Sequence, residues 1–225
     1  MVSPVTLLDA ALKEMKRCER VHARKASRQN AGHYRDALIV AFLATRPVRL
    51  ENLAAIEIGR HLDKPDDIYR CRFAAPETKE HLELDFPMPE ILTLWLDRYL
   101  NVYRPMLLRG AKTSRLWISI RSTPMVDNSI YYRVTHLTDR LIGRPINPHL
   151  FRDCVATFVA EQAPKDAAII SRILGHADLS TAEDHYNQAG MVSAQLRYLE
   201  AVQQIRHAAL RPTGDQDGTR SGFAD

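Results

Sequence analysis

LGHADLSTAEDHYNQA, residues 174–189, places His176 just ahead of Ser180-Thr181-Ala182-Glu183 and Tyr186 shortly after it. Ser-x-x-Glu is a capping-box pattern: the serine hydroxyl accepts from the amide three residues on, and the glutamate reaches back to the serine amide. A helix therefore begins at Ser180 and carries Tyr186. Upstream, NPHLFRDCVATF, residues 147–158, reads as a second helix start, with Asn147 as N-cap and Pro148 in the first turn. His149 and Arg152 are three apart on that helix and share a face.

The segments before these fill in a mainly helical chain. Apolar positions at Leu7, Leu8, Ala11, Leu12 and Met15 predict a helix from Pro4 to Val21. A polar stretch, His22 to Gly32, reads as a linker, and the apolar run Ala37 to Ala44 lies in a buried helix from about Tyr34, closed by Arg46-Pro47. A short helix is expected from Val48 to Ala55, with Arg49 near its start. Three strand-like pieces follow, Ile56–Ile58, Ile68–Phe73 and Leu82–Phe86, separated by turns at Asp63–Asp67 and Pro76–Glu80, and predict a small antiparallel sheet. Lys79 lies in the second turn. Further helices are expected after Pro89, from Asp127 to Ile142, and from Met191 to Ala209, with Leu116-Trp117-Ile118 as a short buried segment. The tail from residue 211 is polar and reads as disordered.

Composition sets bounds without choosing a function. The 225 residues are 45% apolar and 26% charged, with a net charge of +4. That is ordinary for a globular protein and permits a nucleic-acid partner without requiring one. The longest apolar run is too short to span a bilayer, and MVSPVTLLDAALKEMKR lacks the form of a secretory signal. Cys18, Cys71 and Cys154 are far apart, with no CxxC pair, so neither a disulfide framework nor a metal site is expected. Reduced thiols point to the cytoplasm. Gly110-Ala111-Lys112-Thr113 lacks the rest of a phosphate-binding loop.

Taken singly, each of these residues has a structural explanation: a surface arginine, a turn lysine, a packed tyrosine. As an ordered set they resemble the catalytic domain of the tyrosine recombinase, or phage integrase, family, which carries Arg, Lys, His-x-x-Arg, His and Tyr in that order. Arg49 with Asn52 and Leu53 looks like the family's Arg-x-x-(Glu/Asn)-Leu helix. Lys79 lies in a Thr-Lys turn before a strand ending in FPMP. HLFR looks like the His-x-x-Arg box, and LGH followed by a tyrosine is the most recognisable segment. The resemblance covers roughly residues 33–190. Tyr186 lies ten residues after His176, where many members have nine, and Asp153 follows Arg152 where a histidine is frequent.

The resemblance implies an α+β, mainly helical fold with a three-stranded antiparallel sheet. It divides the chain into an N-terminal helix and linker (1–32), a catalytic domain including the final helix (33–210) and a tail (211–225). Only about thirty residues precede the resemblance, too few for the family's usual DNA-clamping domain, so the chain is expected to be either a fragment, the favoured reading, or a minimal enzyme. Its expected activity is site-specific cutting and rejoining of double-stranded DNA. Chemistry agrees with that list. A phosphodiester resists attack because it is anionic, so two guanidiniums, Arg49 and Arg152, hold its oxygens. Tyr186 supplies a nucleophile able to form a phosphotyrosine. By the resemblance Lys79 protonates the leaving 5′ oxygen, His149 assists Tyr186 and His176 bonds the phosphate. No metal and no cofactor is expected, and the setting is the cytoplasm, on the bacterial nucleoid. Two alternatives stand beside this reading: a type IB topoisomerase, which uses the same chemistry, and a DNA-binding regulator that keeps the fold and is catalytically silent. The final helix carries Val192, Leu196, Leu199, Val202 and Ile205 as one apolar stripe. It is expected to dock on a neighbour in a tetramer on paired sites, or else on its own domain.

Overall fold

A helix buried on every side must satisfy its polar residues internally, and α2 (Arg28–Thr45) is such a helix: 15 of its 18 residues are buried. The structure, a computed structural model, describes residues 1–79, 81–162 and 198–206. Around α2 pack α1 (Pro4–Arg24), α4 (Glu90–Arg98), α5 (Arg104–Leu108), α6 (Asp127–Ile142) and α7 (Pro148–Gln162), with α3 (Leu50–Ala55) against α6. A π-helical turn, Tyr99–Tyr103, joins α4 to α5 and turns both tyrosines into the core. The strands β1 (Leu62–Asp63), β2 (Arg70–Phe73) and β3 (Leu84–Pro87) form one antiparallel sheet in that order. Cys71 pairs with Leu62 on one side and Phe86 on the other. The fold is α+β and mainly helical, as the resemblance implied.

The stretch expected to link α1 to α2 is mostly helix. Ser27 caps α2 by accepting from the Asn30 amide at 3.2 Å, and Asn30 turns inward to donate to the Cys18 carbonyl at 2.7 Å. Gly32 is buried for a steric reason, since a Cβ there would stand 3.0 Å from a methyl of Ile120. The polar residues thus serve as a cap and a helix-to-helix tie, and α1 joins the same core through Leu7, Leu8, Ala11, Leu12 and Met15.

The first expected strand is also displaced. Residues 56–58 run beside the segment 114–116, with the Leu116 amide donating to the Ile56 carbonyl at 2.8 Å. Gly59, at φ 83°, then turns the chain so that Leu62 begins the sheet. Trp117, fully buried, donates its indole N–H to the Leu53 carbonyl at 3.0 Å. Its ring meets Phe42 edge-on, which fixes α3 against α2.

Residues 198–206 are helical and pack on their own chain. Tyr198 donates to the Ala44 carbonyl at 2.6 Å and meets Phe158 edge-on; Val202 is fully covered, and Arg206 pairs with Asp9 at 2.6 Å. Of the two expected dockings for the final helix, this portion adopts the one in cis. The capped helix at Ser180 and the tail lie outside the described residues. Among those that are described, no helix is long and apolar enough to cross a membrane.

The charges inside α2 generate a stability test. Asp36 accepts from Arg35 at 2.6 Å and from Arg133 of α6 at 2.8 Å, and both members of the Arg35–Asp36 pair are buried. Asp36→Ala strands a buried guanidinium, so urea unfolding should show a loss of about 3–5 kcal/mol. A loss under about 1 kcal/mol would mean that Arg35 is solvated in the variant.

Candidate functional site

Three segments that carry the candidate residues meet around the start of α3. Arg49 is the N-cap residue of α3, with extended backbone, and is half-buried. Its approach is fixed from two sides. Arg46, fully buried, donates to the Pro87 carbonyl at the end of β3 (2.9 and 3.3 Å) and lies over the Phe86 ring. Burial pushes its guanidinium down to about 10. From the other side Arg152, on α7, donates to the Pro47 carbonyl at 3.0 Å. The His-x-x-Arg helix is thereby tied to the residues immediately before Arg49.

Helix α7 starts as its sequence indicated. The Asn147 side chain accepts from the His149 and Leu150 amides at 3.0 and 3.1 Å. His149 stands in the first turn, exposed, one turn ahead of the half-buried Arg152.

Lys79 is exposed in the connection from β2 to β3, just after the short 3₁₀ turn Ala75–Glu77. That turn is tied to α3 by Asn52, one turn after Arg49, whose side-chain amide donates to the Glu77 carbonyl at 2.8 Å. The Arg-x-x-Asn spacing has a visible physical use here: the arginine opens the helix, and the asparagine holds the lysine turn against it. His176 and Tyr186 lie outside the described residues.

The other tyrosines differ sharply in availability. Among the described ones Tyr34, Tyr69, Tyr99, Tyr103 and Tyr198 are buried, while Tyr131 and Tyr132 are exposed on α6. Tyr198, next along the chain after Tyr186, is engaged with Ala44, and burial pushes its phenol far above the ordinary range. It is unsuited to attack a phosphate. Gly110 and the residues after it close a helix end, with Arg109 and Gly110 both at positive φ and Arg104 donating to the Thr113 carbonyl at 2.7 Å. Nothing there forms a phosphate loop.

Sequence reasoning missed Glu77, His61 and Arg46. Glu77 and Arg46 sit two and three residues from predicted site residues and look like surface charges, while His61 carries no sequence signal. Their parts follow from contacts made across the chain.

A sequence model of the phage integrase family matches residues 14–191. The chain is 32% identical to tyrosine recombinase XerD of Pseudomonas putida over 117 residues, which is 51% of this chain and 38% of that protein. It is 28% identical to tyrosine recombinase XerD of Staphylococcus haemolyticus over 152 residues, 67% of this chain and 49% of that one. The chain spans less than half the length of these curated relatives. The crystal structure of XerA recombinase aligns over 88% of this chain and 64% of its own, at a TM-score of 0.48 and 19% identity.

The Asn52 bond can be tested through stability. Asn52→Ala removes one neutral hydrogen bond and should cost about 1 kcal/mol in urea unfolding. Asn52→Asp should cost more, roughly 2–3 kcal/mol, because it points a buried acceptor at the Glu77 carbonyl. If the aspartate variant is as stable as the parent, the side-chain amide is not the donor that ties the turn.

Proposed function

The chain belongs to the phage integrase family, and on that premise we propose that it cuts and rejoins duplex DNA at specific sites through a covalent link to Tyr186. The Tyr186 oxygen attacks phosphorus and the bond to the 5′ oxygen breaks, leaving a 3′-phosphotyrosine. The phenolic proton passes toward His149, and Lys79 delivers a proton to the departing 5′ oxygen. Arg49 and Arg152 hold the non-bridging oxygens as charge builds, with His176 as a further donor. The phosphotyrosine retains the energy of the broken bond, so attack by a 5′ hydroxyl rejoins the strand without ATP.

The observation that carries this reading is the pair of cross-chain ties, Arg152 to Pro47 and Asn52 to Glu77. They draw the segments bearing Arg49, Lys79 and Arg152 toward one helix start, although up to about a hundred positions separate them. Two guanidiniums from different helices suit a dianionic transition state without a metal. Double-stranded DNA is the partner and the cytoplasm, on the nucleoid, the setting. On paired sites the working form is a tetramer in which the final helix leaves its own chain and makes the same contacts on a neighbour, an exchange that needs no new surface.

The test uses nicked duplexes of randomised sequence, on which cleavage releases the short strand and traps the adduct. The full chain should form adducts, and Tyr186→Phe should abolish them while folding and DNA binding persist. Adducts that survive in that variant, or that map to Tyr131 or Tyr132, would sink the assignment. Arg49→Ala and Arg152→Ala should each slow cleavage by about 10²–10³. Relaxation of a supercoiled plasmid with no strand exchange would place the activity with type IB topoisomerases, and binding without adducts would make the chain a regulator.

A further inference from the structure

A lysine that acts as a general acid must be delivered to within hydrogen-bond reach of one oxygen. Lys79 is exposed on a flexible four-carbon stem, so its placement depends on the backbone beneath it. Two residues earlier stands Glu77, held at three points. Its carbonyl accepts from Asn52, its carboxylate accepts from the Ala74 amide at 2.9 Å, and it accepts from His61 Nε2 at 3.0 Å. Arg60 also donates to the carboxylate from solvent.

His61 is not an incidental neighbour. Its ring is buried and stacked on Phe73 of β2, with centroids 5.0 Å apart. Its Nδ1 accepts the Glu57 amide at 3.0 Å, which leaves the proton on Nε2, directed at Glu77. The donor is thus oriented by contacts that do not involve Glu77. The bond from His61, followed by that from the Ala74 amide, holds the Glu77 carboxyl below the usual carboxylate range, so it is charged under working conditions.

Beyond Glu77 the turn closes tightly. Thr78 is buried; its hydroxyl accepts the Leu82 amide at 3.0 Å and lies 2.7 Å from the Leu82 carbonyl. The His81 amide donates to the Thr78 carbonyl at 3.1 Å, with His81 in the left-handed region at φ 53°. Lys79 sits on a short closed loop whose root is Glu77.

We propose that Glu77, oriented by His61, is a positioning residue that fixes the backbone under Lys79 and so aims its ammonium. This rests on the reading of Lys79 above, while the contacts of Glu77 stand apart from it.

Two measurements on the full chain test the proposal. The first needs no activity. Glu77→Gln keeps the side chain's size but cannot serve both Ala74 and His61 as the carboxylate does. Amide exchange at Thr78, His81 and Leu82 should speed up by about fivefold, the loss of one ordinary hydrogen bond. Unchanged exchange in both Glu77→Gln and Glu77→Ala overturns the proposal.

The second uses a cleaved sequence recovered from the randomised pool, synthesised with a normal phosphate or with a 5′-bridging sulfur, a leaving group that needs no proton. Glu77→Gln should slow cleavage of the phosphate duplex by about tenfold, approach the parental rate on the sulfur duplex, and slow the Lys79→Ala variant no further. An equal defect with Lys79 present or replaced overturns the proposal, because Glu77 then does not act through Lys79. Lys79→Ala that is equally slow on both duplexes would overturn the general-acid role instead, and the double-mutant comparison would still report on Glu77.

Discussion

The carboxylate of Asp36 lies inside a helix that has no solvent face to offer it. It is bonded to Arg35 beside it and to Arg133 on α6, while Arg35 also donates to the Ile118 carbonyl. A buried charge without partners costs several kcal/mol, and even a paired one gains little over a well-packed apolar residue. What such a group supplies is position. The placement of α6 and of the segment 116–118 satisfies both charges. That placement seats Trp117, Trp117 holds the Leu53 carbonyl, and α3 is set with Arg49 at its start. The candidate site thus inherits its geometry from a polar constraint in the core.

A second device recurs outward from there. Carbonyls in loops and at the ends of short elements are met by long side-chain donors: Arg152 at Pro47, Asn52 at Glu77, Arg46 at Pro87, Arg104 and Arg115 at the carbonyls of Arg115 and Ala54. Buried carbonyls must be paired somewhere. Pairing them through side chains lets irregular backbone sit rigidly between helices, as a site assembled from a helix cap, a sheet turn and a separate helix requires. Several of these donors are arginines, whose planar fork reaches a carbonyl with little rotamer freedom left to lose.

Much of the scaffold was legible from the residues alone. Asp127–Ile142 is helical as the apolar spacing of Ile130, Val134 and Leu137 indicated, and Asn147-Pro148 opens α7 with the cap its types imply. The errors fell where polar residues have long-range uses. Asn30 looks like linker composition and is a tie to α1. Residues 56–58 look like a strand, but Gly59 lets Leu62 take the sheet edge. The ordered set Arg49, Lys79, His149, Arg152 was visible because spacing carries it. Glu77 and His61 were not, since a carboxylate and an imidazole sixteen positions apart reveal a partnership only once the chain has folded.

Tyrosine shows most clearly where sequence reading must stop. The eight tyrosines are the same group in the sequence, yet the fold divides those it describes into two chemical populations. Tyr34, Tyr99 and Tyr198 each donate to a backbone carbonyl, of Trp95, Leu116 and Ala44. Burial raises all three phenols, and pushes Tyr99 and Tyr103 up to about 12. A phenol in that setting donates a hydrogen bond to a fixed acceptor, keeps its proton and stays neutral, which makes it a structural cross-link. A nucleophilic phenol needs the opposite: an oxygen open to a phosphate, beside groups that stabilise the negative charge it develops. Core tyrosines are therefore excluded by the burial that makes them useful. In Tyr198 the two demands lie closest in sequence, twelve residues beyond Tyr186, and its place on the final helix, against Ala44 and Phe158, commits it to packing.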